Sequence, residues 1–297
     1  VFFFWTVRCP PEGALRVRAS LFEESTSIHL HFARVRRDGG AFEERVLSER
    51  DREWRLDGTA GEATSIGGYA RLGVEHILGG FDHLAFVLAL ILVAGSLGGV
   101  ARVVTGFTIA HSLTLALAAT GVVRPDAAPT EALIGLSIAL VAVENLWLEG
   151  TRAAAVPTVL ALGLALTAFL AAAGIGSVPA LTLAGFALFT VCYFALLERS
   201  RRPETLRGVV AFLFGLLHGF GFAAVLVEAG LPPERLARAL LGFNTGVELG
   251  QLAVVAPLWA FLRALSGERR RAVVEIGSAS VLALGTFWFV TRLLTPS

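Results

Sequence analysis

The chain has 297 residues, 55% of them hydrophobic and 16% charged, with a formal net charge of +1 and a mean hydropathy of +0.70. That is too little charge to cover a soluble protein of this length, and a near-neutral balance offers nucleic acid no basic face. All 25 basic residues are arginine and methionine is absent, so the chain reads as a processed product or a fragment.

Residues 1–65 differ in composition from the rest. VFFFWTV (1–7) is too short for a complete signal peptide and reads as the remnant of one or as a buried strand. LRVRASLF (15–22) and SIHLHF (27–32) alternate apolar and polar residues, as half-buried strands do. RRDGGAF (36–42) supplies a hairpin turn and EWRL (53–56) a further strand. The expectation is a small β-rich extracytoplasmic segment over 1–65, with GTAGEATSIGG (58–68) as linker to a helical domain over 66–297. Cys9 and Cys192 lie in unlike surroundings and are not expected to pair.

Eight apolar spans follow, at about 70–97, 101–121, 130–149, 154–174, 179–198, 207–228, 237–263 and 271–293. Each is long enough to cross a hydrocarbon layer of ~30 Å. The expected fold is therefore an all-α polytopic membrane bundle of about eight helices behind a β-rich segment. Arg102, Arg152, the run Arg199, Arg201, Arg202 and Arg207, and the run Arg269, Arg270 and Arg271 fall on one side. Arg124, Arg235, Arg238 and Arg292 fall on the other. The positive-inside bias puts the first group in the cytoplasm and both termini outside.

Ionisable groups within spans are costly and mark function. Span 1 carries His76, Asp82 and His83; span 2 carries His111 and Ser112; span 3 carries Glu144 and Asn145. Span 6 carries His218, and span 7 carries Asn244, Glu248 and Gln251. Spans 4, 5 and 8 have almost nothing comparable and read as packing helices. At ~1.5 Å of rise per residue, Asp82, His83, His111, His218 and Glu248 fall in one middle layer. His76 and Asn244 fall outward of it and Glu144 inward. On a straight helix His76 and His83 stand roughly 10 Å apart, so one ion takes both only if the helix breaks, for which Gly79 and Gly80 provide.

Imidazole and carboxylate ligands suit borderline divalent ions such as nickel, cobalt, zinc or ferrous iron, whereas the lack of methionine argues against cuprous copper. The competing reading is that the same groups are interhelical hydrogen-bond glue, which fits Asn145, Gln251 or Ser112 singly better than it fits the whole layer. His29 and His31 share a strand face and read as solvent-facing.

At these signatures the chain resembles the HupE/UreJ family of hydrogenase and urease accessory membrane proteins. The matching stretches are GVEHILGGFDHLAF (73–86), FTIAHSLTLALA (107–118), LSIALVAVEN (136–145), FGLLHGFGFA (214–223) and FNTGVELGQL (243–252). The resemblance implies a bacterial membrane protein associated with nickel uptake. His76, Asp82 and His83 meet the family's spacing, which is similar to a motif of nickel/cobalt permeases. The β-rich segment departs from the nickel-transporting members and puts the identity of the ion in question.

The leading expectation is a secondary permease for a divalent transition metal, nickel first, in a bacterial cytoplasmic membrane. His76, Asp82, His83, His111, His218 and Glu248 would be its ligands, with Glu144, Asn145, Asn244, Gln251 and Ser112 along the path. No Walker-type glycine loop points to ATP. Two rivals stand beside it: an intramembrane metalloenzyme with an open water position on its metal, and an accessory subunit whose outer segment docks a protein partner.

Overall fold

A computed structural model describes residues 15–18, 31–36, 42–47, 52–56, 65–150, 152–222 and 233–294. Four short strands come first: β1 (Arg16–Arg18), β2 (His31–Arg36), β3 (Phe42–Leu47) and β4 (Glu53–Arg55). β1 pairs antiparallel with β4, with Val17 opposite Trp54, and β2 pairs antiparallel with β3, with Phe32 opposite Val46. Trp54, Leu47, Leu56 and Ala33 share a small buried cluster, and Leu15 and Val17 of the alternating stretch 15–22 pack against it. Of the strand expected over 27–32, His31 and Phe32 fall in β2, which runs on to Arg36, and residues 27–30 lie outside the described residues. Cys9, His29 and the turn residues 37–41 lie outside the described residues.

Nine helices follow among the described residues: α1 (Ile66–Gly79), α2 (Phe81–Leu92), α3 (Leu97–Ala119), α4 (Ala127–Glu149), α5 (Ala155–Ala172), α6 (Ala180–Arg199), α7 (Pro203–Gly221), α8 (Pro233–Ala264) and α9 (Gly267–Leu294). Ser65 and Ser96 cap α1 and α3, each hydroxyl accepting from a backbone N–H three residues on, at 3.0 and 3.1 Å. The helical part therefore starts at Ile66, inside the segment expected to be linker. Among the described residues six helices are long and apolar enough to cross a bilayer, or seven when the bent pair α1–α2 is counted as one span. α7 is a further helix of 19 residues that carries Glu204, Arg207 and His218. The chain is a multi-pass membrane protein with about eight crossings.

The first apolar run is broken at the glycine pair, as its sequence allows: α1 and α2 meet at Gly80 with a bend of 73°. One expectation needs correction: the last span is not a mere packing helix, because α9 lies along α4 and sends Arg292 to Asp82 and Glu131. α4 is the centre of the bundle, 83% buried over its apolar window, whereas α5 is only 11% buried. α5 and α6 turn Phe169, Leu181 and Leu188 outward, the apolar surface that lipid requires.

A buried histidine centre at the helix break

The bend at Gly80 builds the site. Its backbone is extended (φ −86°, ψ 91°), which stops α1 after Gly79 and restarts the chain as α2 at Phe81. The ring centroids of His76 and His83 then stand 4.7 Å apart, less than half the separation a straight helix would give. α3 brings His111 to 6.3 Å from His76 and 5.7 Å from His83 between ring centroids. One nitrogen from each of these three residues lies within 4.8 Å of the other two. His76 thus belongs with the middle layer and not outward of it; counting along an unbroken helix had misplaced it.

His218 on α7 closes the group, its ring 5.3 Å from that of His83. Its Nδ1 lies 2.9 Å from the carbonyl oxygen of Phe214. A carbonyl only accepts, so Nδ1 carries the proton and the Nε2 lone pair is left for another partner. His111 and His218 are 0% exposed, and His76 and His83 are 7% exposed. Both nitrogens of His76, both of His111, and Nε2 of His83 and His218 are buried without a hydrogen-bond partner. Each such atom costs roughly 1–3 kcal/mol when left unmet. Phenylalanines wall the group: Phe222 lies 4.1 Å and Phe243 5.3 Å from His76, and Phe86 and Phe107 each lie 5.0 Å from His218. Lone pairs gathered in this way behind an aromatic wall could hold a cation through imidazole.

The carboxylates expected to join the ligands are turned elsewhere. Asp82 Oδ2 pairs with Arg292 at 2.9 Å, and Arg292 also reaches Glu131 Oε2 at 3.6 Å. Glu248 Oε1 accepts from Thr105 Oγ1 at 2.5 Å, and Gln251 Oε1 accepts from Thr108 Oγ1 at 2.8 Å, so the polar face of α8 lies against α3. Glu248 Oε2 and Gln251 Nε2 have no partner. Asn244 lies beside the His111 ring, its Oδ1 unpartnered. Ser112 donates to the Thr108 carbonyl at 2.6 Å.

Glu144 and Asn145 form a second buried network, towards the end that carries the arginine clusters. Glu144 pairs with Arg207 and accepts from the Tyr193 hydroxyl at 2.8 Å. Asn145 donates to the Ala89 carbonyl at 2.7 Å and accepts from Arg207 at 3.3 Å. A cavity of about 660 Å³ opens beside it, lined by Ser96, Arg102, Gly106, Glu204, Arg207 and Phe212 among others.

Arg292, Arg207, Tyr193, Thr105 and Thr108 were not singled out in the sequence. Arg207 stands near the start of α7 and Arg292 in the last turn of α9, positions at which an arginine reads only as a topology marker.

Matches to the family model described as HupE / UreJ protein cover residues 52–164 and 150–292. No curated protein and no solved structure shows significant similarity to the chain. The match runs through the break at Gly80, the histidines around it and the helices that frame them, and on that extent the chain belongs to the HupE/UreJ family.

Proposed function

We propose that the protein is a secondary permease that carries a divalent transition metal ion, nickel first, across a bacterial cytoplasmic membrane. The carrying observation is the convergence of His76, His83 and His111, with one nitrogen of each within 4.8 Å of the others, buried among phenylalanines. His76, His83 and His111 bind the ion, and His218 Nε2 stands next to them as a fourth donor. The nickel assignment is supported by the family and by the borderline character of imidazole; cobalt, zinc and ferrous iron meet the same ligands.

The ligand set suits a cargo better than a resident ion. Four neutral imidazoles leave a charge of +2 uncompensated in a low-dielectric shell, so affinity is moderated and release is possible. The nearest carboxylate in sequence, Asp82, is committed to Arg292. Glu248, Asn244 and Gln251 offer polar stepping points along α8, and Glu144 stands towards the arginine-rich end. That end is cytoplasmic in this reading, which sets the strands and Ser297 outside.

Uptake of nickel, cobalt, zinc and iron into proteoliposomes tests the proposal. Saturable uptake of at least one ion, lost in His83→Ala and His111→Ala, is expected. An ion that binds tightly and never crosses would replace transport with an intramembrane metalloenzyme.

A further inference from the structure

Three features recur in the same order in the two parts of the helical domain. GVEH (73–76) on α1 and GLLH (215–218) on α7 each set a glycine three residues before a buried histidine. GFTIAHSL (106–113) on α3 and GFNTGVEL (242–249) on α8 open with the same Gly-Phe pair. Gly135 on α4 and Gly285 on α9 come last. Burial repeats as well. Phe107, Ala110 and His111 are buried as are Phe243, Gly246 and Val247, while Leu113 and Leu249 are 51% and 56% exposed.

The contacts exchange between the halves as a two-fold axis requires. A Cβ at Gly73 would strike the Phe243 carbonyl oxygen, and one at Gly215 would stand 2.5 Å from the Phe107 carbonyl oxygen. A Cβ at Gly135 would lie 2.7 Å from Phe289 N and 3.0 Å from Gly285 O. One at Gly285 would lie 2.7 Å from Ala139 N and 2.9 Å from Gly135 O. Numbers rise together in the pairs α1–α8 (Gly242 by Ile66, Gly246 by Ala70, Gly250 by Val74) and α3–α7 (Gly215 by Phe107, Gly219 by His111), so both are parallel. Across α4–α9 they run oppositely. An axis that exchanges two antiparallel helices lies across them, in the plane of the membrane, so the two halves are inverted relative to one another.

Two charged pairs also join the two halves. Asp82 on α2 meets Arg292 on α9; Arg207 on α7 meets Glu144 on α4. Each links the first part of one half to the last helix of the other, with the signs reversed. The first pair lies near the end where α9 finishes, the second near the arginine-rich end, and the histidines lie between them. From this geometry we infer that α1–α4 and α7–α9 form an inverted repeat, and that Asp82–Arg292 and Glu144–Arg207 are the two gates that close the histidine site from opposite faces. α5 and α6 stand outside the repeat and cover α4, which is why α4 is enclosed while α9 is half exposed.

The inference rests on the transport reading, and cross-linking separates the two. In a chain with Cys9→Ser and Cys192→Ser, a short bifunctional thiol reagent would bridge either Asp82→Cys with Arg292→Cys or Glu144→Cys with Arg207→Cys. Zinc flux should fall at least tenfold on bridging either pair and return on reduction, while zinc still binds the bridged protein. Bridged protein that passes zinc as fast as the reduced form would overturn the gates. A wild-type chain that binds zinc but never passes it overturns the transport reading beneath them. A second readout leaves both pairs intact. A thiol at Gly106→Cys lines the cavity where a Cβ meets nothing within 4 Å. Its reactivity from the arginine-rich face should change at least fivefold when zinc is added; unchanged reactivity contradicts the alternation.

Discussion

The imidazoles of His76 and His83 stand 4.7 Å apart between centroids, and they do so only because the helix turns by 73° at the glycine between them. Two imidazoles that a straight helix would set on separate levels are brought side by side. The bend is held by backbone, not by a side chain, and this makes it testable at a single atom.

A Cβ at Gly80 would lie 2.8 Å from the His76 carbonyl oxygen and 3.1 Å from His83 Nδ1, whereas one at Gly79 would meet nothing within 4 Å. Gly80→Ala should therefore weaken zinc binding about tenfold or more, which corresponds to ~1.4 kcal/mol. Gly79→Ala should leave binding within about twofold. Titration calorimetry in detergent reads both, and equal behaviour of the two variants would remove the bend from the account.

The histidines should rank. His83→Ala and His111→Ala each remove a ligand from the converged triad and should lower affinity by roughly 10²-fold or more. His218→Ala removes a donor at the margin and should cost less, about tenfold. His29→Ala should change nothing measurable. The ranking is read from competition against a chromophoric chelator, and a His29 effect as large as that of His111 would overturn it.

Charge neutralisation should be unequal at the two ion pairs. Glu144 and Arg207 have side chains only 2% and 14% exposed, so Glu144→Gln leaves a buried guanidinium unmatched and should cost about 3–5 kcal/mol. Asp82 and Arg292 are 22% and 25% exposed, and Glu131 remains 3.6 Å from Arg292. Asp82→Asn should therefore cost less, about 1–2 kcal/mol after solvent screening. Thermal unfolding in detergent checks the order, and a larger loss for Asp82→Asn would contradict it.

Topology has its own check. In a background with Cys9→Ser and Cys192→Ser, Val122→Cys, between α3 and α4, should react with an impermeant thiol reagent from outside the cell. Ser266→Cys, between α8 and α9, should react only from the cytoplasm. Reaction of both from one face would break the alternation on which the eight crossings and the inverted repeat depend.

The spans were legible because some twenty apolar residues in a row have no other stable use. The histidines were legible too, since imidazoles are costly in lipid. What failed was the assumption of straight helices. Depth counted along an unbroken span put His76 a level above His83, and nothing local says that the turn falls at Gly80 and not at Gly79. Asp82 and Arg292 are partners across 210 residues, a distance over which sequence spacing carries no information. Glu248 was placed in the central layer by depth alone; its side chain is held by Thr105, one of several small polar residues that looked unremarkable in an apolar helix. The repeat was hidden for a similar reason. It survives in a few glycines, two histidines and two phenylalanines, and only their exchanged contacts make it visible.

X-ray absorption on zinc-loaded protein tests the central claim most directly. The three nitrogens lie within 4.8 Å of one another, and a tetrahedral site with bonds of about 2.0–2.1 Å would set them ~3.4 Å apart. The account predicts a first shell with at least three nitrogens at about 2.0–2.1 Å and the multiple scattering of imidazole rings, with one ring lost in His83→Ala and one in His111→Ala. A shell of oxygen alone, or an imidazole signal unchanged in both variants, would contradict it.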